Sequence, residues 1–586
     1  MPISLITSVK RAHVVLFAYE AWGHTRPLCN LAVRLAKTRP AIITLFTTHV
    51  LYDRVKRELR RSVQSADGPL LDDIRVIALH NTGRHALDNK VLDESYAEAY
   101  EQLVNGEPVK CAHTGHCVEA VSSPDAVIID FYGRPLLEAV RRLSQKPVKV
   151  FVWFAGAASV IFRFYGPADK GGAGNLRAKA EQEAARSGIT VEAATAEILF
   201  KCEKSLLKIP GLPAMYDHEF QPQTLLGGYA MLGGMFLSAY EPGRSVVHSM
   251  FAACDGVILA TSDCYEPETT AALKKHFAQT SRSVHLCGPM IPCGAQARAL
   301  EGEQCRDTVE IEDFLESTLS SHGERSVLYV CGIFSLGTVY WPSEPEKVWA
   351  FLDVLVEMRI PFTTMQIMSH AVRYAAVPNS VVQKINNYGH GLLTTWSPQQ
   401  LVLSHSATGW FVTHGGHNSV IEAVSAGVPM ICWPFAFDQP TNAAHMSHGL
   451  NVAYELFEAR NGPALNTVYR TGKAPTGTVD AFCLEAKDIL KKAFGEDGMH
   501  KRNNVLKLKQ KTEEAWSKAG ASRRTIESFM NSSWLTIDES ACAREVDGSP
   551  DETRTNNSPW KHSYTDTVFQ TTGWMTHFPI QHVHAP

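Results

Sequence analysis

The 586-residue sequence lacks any apolar run close to the roughly 20 residues needed to cross a bilayer. It also shows no small-residue cleavage pattern of a secretory leader. The opening MPISLITSVKRAHVVLFAY is broken by Lys10, Arg11 and His13 before the first expected strand. The 13 cysteines are scattered through apparent strands and helices, without the dense spacing of a disulfide scaffold. These absences predict a cytoplasmic protein in a reducing environment, without stable membrane insertion. An excess of one charge is missing too. With 56 Lys and Arg against 60 Asp and Glu, the formal net charge is -4, which offers no basic surplus to neutralise nucleic-acid phosphates. The expected partner is a small molecule, with no nucleic acid. Gly171, Gly172 and Gly174 precede no Gly-Lys-Ser/Thr and so form no phosphate loop.

What is present is an alternation of short β-branched runs with helical patterns, the mark of parallel α/β sheets. Strands are predicted at 13–19, 41–48, 126–131, 148–154 and 256–261, then at 326–331, 361–367, 391–395, 410–413 and 429–433. A helix at 27–37 follows the first strand, with Leu28, Leu31, Ala32 and Leu35 on one face. The chain is too long for one ordinary core. The expected division is an α/β domain at 1–287, an irregular linker region at 288–325 and a second α/β domain at 326–515. A charged helical run ends at 516–532, and a polar tail at 533–586 is expected to be largely disordered.

The most informative stretch is 396–445, WSPQQLVLSHSATGWFVTHGGHNSVIEAVSAGVPMICWPFAFDQPTNAAH. A strand ending at Thr413 runs into His414-Gly415-Gly416-His417-Asn418-Ser419 and then into a helix expected at 420–426. Glycines there permit a tight turn and close backbone approach. The free N–H groups of the helix start make an anion site suited to a diphosphate. His414 and Ser419 add donors, Glu422 an acceptor for sugar hydroxyls, and Asp438 with Gln439 further polar groups for a polyol.

This segment resembles the donor-binding signature of the UDP-glycosyltransferase family: Trp-x-Pro-Gln, Leu-x-His, Phe-x-Thr-His-x-Gly, Asn-Ser, Glu, Gly-Val-Pro and Asp/Glu-Gln, matched without a gap. The resemblance implies a GT-B fold, two facing Rossmann-like α/β domains with parallel sheets and a cleft between them. It implies a hexosyltransferase that binds acceptor on the N-terminal side and a UDP-sugar on the C-terminal side. By the same resemblance Trp396 stacks on the uracil and the Ser397 backbone bonds its edge. Gln399 and Glu422 hold the ribose. His414, Gly416, Asn418 and Ser419 hold the diphosphate, while Asp438 and Gln439 bind the transferred hexose. His417 stands where plant members commonly carry Trp beside the sugar. Upstream, 330–338 is similar to the family's Val-Ser-Phe-Gly-Ser-x-Gly-Thr loop with one residue more, which makes Ser335 the candidate phosphate contact.

Ala21-Trp22-Gly23-His24-Thr25-Arg26-Pro27-Leu28 follows the first strand and resembles the family's Gly-His-x-x-Pro turn. His24 is the candidate general base, with an ordinary pKa near 6.5 suited to proton removal at neutral pH. Asp130, at the end of Ala126-Val-Ile-Ile-Asp, is the candidate orienting carboxylate; Asp125 precedes that strand and falls at its opposite end. The implied reaction is an inverting displacement, most simply from UDP-glucose to a hydroxyl of a small lipophilic acceptor, by a monomer with no cofactor and no metal. The helix near 521–531 would cross back to the N-terminal half in such a fold. Cys111, His113, His116 and Cys117 are spaced too tightly for a standard zinc pattern. Two other readings share the donor segment: a non-catalytic nucleotide-sugar-binding protein, and a GT-B enzyme acting on a membrane lipid.

Overall fold

In the N-terminal half, seven apolar segments pair in parallel: β1 (Ala12–Phe17), β2 (Ala41–Thr48), β3 (Ile74–Leu79), β4 (Ala126–Asp130), β5 (Lys149–Phe154), β6 (Gly256–Leu259) and β7 (Ser283–Leu286). The computed structural model describes residues 11–81, 89–224, 246–331, 344–365, 377–394 and 396–532. Every residue of β1 and β4 is buried, as expected of central strands covered on both faces. The strand order is β7-β6-β5-β4-β1-β2-β3. A second parallel sheet holds β8 (Val327–Val330), β9 (Phe362–Met365), β10 (Gly391–Thr394), β11 (Thr408–Thr413), β12 (Met430–Cys432) and β13 (Ala453–Glu455), in the order β10-β9-β8-β11-β12-β13.

Both orders reverse direction once, between β1 and β4 in the first sheet and between β8 and β11 in the second. Such a reversal splays the connections apart and leaves a crevice at the carboxyl ends of the strands. The helices that matter for the site start there or pack beside it: α1 (Trp22–Thr38), α2 (Tyr52–Ser62), α3 (Ala295–Gly302), α4 (Gln399–Ser404), α5 (His417–Ala426) and α6 (Ala521–Met530). Residues 1–537 cluster as one compact unit. Helix α6 returns to the first sheet, where Ile526, Phe529 and Met530 are buried with Val14, Leu16 and Phe151. Phe529 meets the Phe151 ring edge-on at 4.9 Å.

Three strands escaped the sequence reading: β3, β7 and β13. All are edge strands. Polar residues interrupt their apolar runs: Arg75 in β3, His285 in β7 and, in β13, Glu455, which is buried in ion pairs with Arg460 and Arg470. The stretch 288–325, expected as an irregular linker, instead carries α3 and a helix at Thr308–His322. Helix α3 turns Glu301 inward to a buried charge network, which spoils the apolar period that would have revealed it. The charged run before 532 is two helices, Glu496–Glu514 and α6. The tail 533–586 and the Ser335 loop lie outside the described residues.

Candidate active site

The base side is built by the β1-to-α1 turn. His24 sits in the first turn of α1, its N–H bonded to the Ala21 carbonyl at 2.9 Å, while its own carbonyl accepts from Trp153 Nε1 at 3.0 Å. Asp130 ends β4, the strand paired directly with β1. Its carboxylate is fully buried, and Oδ2 lies 2.7 Å from His24 Nδ1. The other oxygen accepts the Tyr132 N–H at 3.2 Å. Phe131 and Tyr132 flank the imidazole, with ring centroids at 5.2 and 6.0 Å. Nε2 has no hydrogen-bond partner among the described residues, and the side chain is 25% exposed, so a substrate proton can reach it. Burial opposes the imidazolium, but Asp130, by charge and hydrogen bond, and Asp438 across the cleft outweigh it and raise the His24 pKa above 6.5. Asp125 is occupied elsewhere, taking the His13 N–H at the far end of the sheet.

The donor side is built by the β11-to-α5 turn. Helix α5 begins at His417, three residues earlier than the sequence suggested, so the amides of 417–419 form its first turn. Gly415 has φ +83°, and a Cβ on Gly416 would lie 2.4 Å from His414 Nε2; the turn therefore needs glycine at both places. His414 is buried, which pushes its pKa down to about 4. It is a neutral imidazole at physiological pH, able to donate one N–H. Trp396 is 36% exposed, one of the larger apolar groups open to solvent. Ser397 Oγ lies 2.7 Å from Tyr329 Oη on β8, an anchor that holds the backbone beside Trp396 in place.

Several of the expected donor contacts already have protein partners. Gln399 Nε2 donates to Glu422 Oε2 and, at 3.3 Å, to Ser419 Oγ. Asn418 Nδ2 reaches across the cleft to the Gly23 carbonyl at 2.8 Å, next to His24. His417 is buried against Tyr265, with ring centroids 5.8 Å apart and Nε2 3.5 Å from the Ala260 carbonyl. Asp438 and Gln439, expected to offer polar groups to a polyol, also have protein partners. Asp438 Oδ2 accepts the His417 N–H and the Asn442 amide, each at 2.9 Å, and Gln439 Oε1 accepts the N–H groups of Phe435 and Ala436. Burial forces this, because a buried carboxylate or amide without partners is costly. Among the described residues no group of three or more His, Cys, Asp or Glu is placed to hold a metal ion.

The sequence reading missed a buried charge network that ties the two halves together. Arg26, two residues beyond His24, places Nη1 2.5 Å from Glu422 Oε1 and Nε 3.1 Å from Glu58 Oε1. Arg61 bonds Glu58 at 2.7 Å, Gln400 Oε1 at 2.6 Å and the Ala297 carbonyl at 3.1 Å. Glu301 accepts the backbone N–H groups of Gln400 and Leu401 at 3.0 and 3.1 Å. Burial raises its pKa to about 7 against the pull of Arg61 and Arg26. No local signal in the sequence marked the network, since α1 carries Arg34 and Lys37 as well as Arg26. Replacing Arg61 by Met strands Glu58 and Glu301 in the interior, and a loss of about 3 kcal/mol in urea-unfolding free energy is expected.

A family model described as UDP-glucoronosyl and UDP-glucosyl transferase matches residues 280–459. A UDP-glycosyltransferase, eriJ, of Hericium erinaceus is 27% identical over 88% of this chain and 97% of its own length. UDP-glucosyltransferase 45 of Panax ginseng is 38% identical over 141 residues, 24% of this chain and 27% of its own. Among solved structures, a UGT transferase from Siraitia grosvenorii in complex with UDP aligns over 90% of this chain and 100% of its own, with a TM-score of 0.61 and 16% identity. A UDP-glucose:anthocyanidin 3-O-glucosyltransferase in complex with UDP aligns over 89% and 98%, with a TM-score of 0.59 and 22% identity. The two parallel sheets, each with its strand-order reversal, have the GT-B arrangement of those structures, and the chain, similar over 88% of its length to a UDP-glycosyltransferase, is a glycosyltransferase.

Proposed function

We propose that the chain transfers glucose from UDP-glucose to a hydroxyl of a small lipophilic acceptor, with inversion, using His24 as general base and Asp130 as its orienting carboxylate. The observation that carries this reading is the approach of the two turns. The first turn of α5 holds the carbonyl of Gly23 through Asn418, so the base and the candidate diphosphate site face one another. Residues 1–287 would serve as acceptor domain and 326–515 as donor domain, in a cytoplasmic monomer. Glucose and a hydrophobic hydroxyl-bearing acceptor are supported by the relatives that are glucosyltransferases, including one that acts on anthocyanidin.

The mechanism follows from the groups present. His24 Nε2 takes the acceptor hydroxyl proton as that oxygen bonds to the anomeric carbon. The bond from that carbon to the diphosphate breaks, and its electron pair leaves with UDP. The negative charge developing on the diphosphate meets the Asn418 and Ser419 amides of α5, the Ser419 hydroxyl and the neutral His414 N–H. These donors are fixed before reaction, which lets them act without a metal ion. Trp396 supplies a face for uracil, Gln399 and Glu422 acceptors and donors for ribose, and Asp438 and Gln439 lie toward the hexose. His417, buried against Tyr265, shapes the pocket where the sugar sits.

A panel of UDP-glucose, UDP-glucuronate and UDP-N-acetylglucosamine with a phenol or sterol acceptor tests the reading. The expected result is fastest transfer from UDP-glucose and a β-linked product by proton NMR. An α-linked product would exclude the single displacement, and a clear preference for another sugar would exclude the glucose assignment.

A further inference from the structure

We infer that Arg26 positions Glu422 for the donor's ribose, so that the helix bearing the base also sets nucleotide selectivity. This rests on the proposed role of Glu422 as ribose acceptor. Arg26 belongs to the acceptor-side half and Glu422 to the donor-side half, yet they meet at 2.5 Å inside the cleft. The Glu422 side chain is 2% exposed and that of Arg26 13%. A buried carboxylate is costly without a cation beside it, and Gln399, its other partner, brings no charge.

The geometry leaves Glu422 usable. An ionised carboxylate has about four acceptor positions. Arg26 lies at Oε1 and Gln399 bonds Oε2, which leaves room for ribose hydroxyls. Arg26 is itself fixed from the other side, with Nε on Glu58, which Arg61 holds in turn. Only a rigid planar fork can face two carboxylates in this way; a lysine ammonium on a flexible stem cannot hold both at once. Arg26 does not touch the reacting atoms in this arrangement. It is a positioning residue acting through Glu422.

The test is the affinity of the full chain for UDP, 2′-deoxy-UDP and 3′-deoxy-UDP by calorimetry, with donor KM and kcat measured alongside. Wild type is expected to prefer UDP by about tenfold or more, because a site built to hydrogen-bond a hydroxyl rejects the analogue lacking it. In R26M that preference should fall to within about threefold, with donor KM raised about tenfold and kcat nearly unchanged, the pattern of lost ground-state binding. R26K should lie between the two. A merely structural role would weaken all three ligands together and leave their ratio unchanged. A folded R26M that keeps the wild-type ratio overturns the inference; if R26M does not fold, R26K with an undiminished ratio and unaltered donor KM overturns it equally. A wild-type protein that binds UDP and both deoxy forms alike, or a folded E422M variant that keeps the full ratio, would instead overturn the reading of Glu422 as ribose acceptor.

Discussion

Replacing His24 by Ala is expected to lower acceptor-dependent transfer by about 10³- to 10⁴-fold, the range a positioned general base supplies. UDP affinity should change by less than about threefold, because no proposed nucleotide contact comes from His24. The loss should appear in kcat, since the imidazole acts on a proton that moves only as the new bond forms. The ring is well prepared for that task. Its backbone is tied by Trp153, its faces are flanked by Phe131 and Tyr132, and its Nδ1 is fixed by Asp130, so Nε2 presents one geometry to the cleft. Full transfer by His24→Ala, in a protein of unchanged melting temperature, would remove His24 from the mechanism.

The second large effect belongs to Asp130→Asn, for which a fall in kcat/KM of about 10³-fold is expected, by analogy with the orienting aspartate of a Ser-His-Asp triad. The amide cannot stabilise the imidazolium that forms when the proton is taken. The pH profile gives a sharper reading. Asp130 and Asp438 raise the His24 pKa in the native protein, so the acid limb of kcat/KM should lie above pH 6.5. Removing the Asp130 charge lets burial dominate, and the limb should move to lower pH. Stability follows the same linkage. A folded pKa above the unfolded value contributes stability that is fully present below pH 6.5 and is lost as pH rises through the folded pKa. Asp130→Asn should therefore cost more stability at pH 5.5 than at pH 9, and a pH-independent cost would contradict the ion pair.

Much of this arrangement was legible in the sequence, for identifiable reasons. Central strands bury both faces and read as continuous apolar runs, so β1, β4 and β11 stood out. His24 was readable from the turn that follows β1 and Asp130 from the end of β4, and the structure brings them to 2.7 Å. Three of the four edge strands of the two sheets were hidden by polar residues that interrupt their apolar runs. What pattern could not show was who pairs with whom across the cleft. Arg26 and Glu422 are separated by nearly 400 residues, and nothing local in either helix marks the other. The same holds for Asn418, which was assigned from its motif to the diphosphate but lies on Gly23 in the structure. Partners that come from opposite halves become visible only when both sheets are in place.

Helix α5 therefore does two things at once in this account. Its Asn418 and Ser419 amides are the proposed anion site, and its first side chains, Asn418 and, one turn on, Glu422, grip the turn that carries the proposed base.

The most direct measurement is nucleotide release from sugar donors in the presence of a hydrophobic hydroxyl-bearing acceptor, with EDTA present throughout. The expected result is UDP formed from UDP-glucose in one-to-one proportion with glucosylated acceptor, undiminished by the chelator. Release of only a nucleotide other than UDP, or UDP release without a glycosylated product, would contradict it.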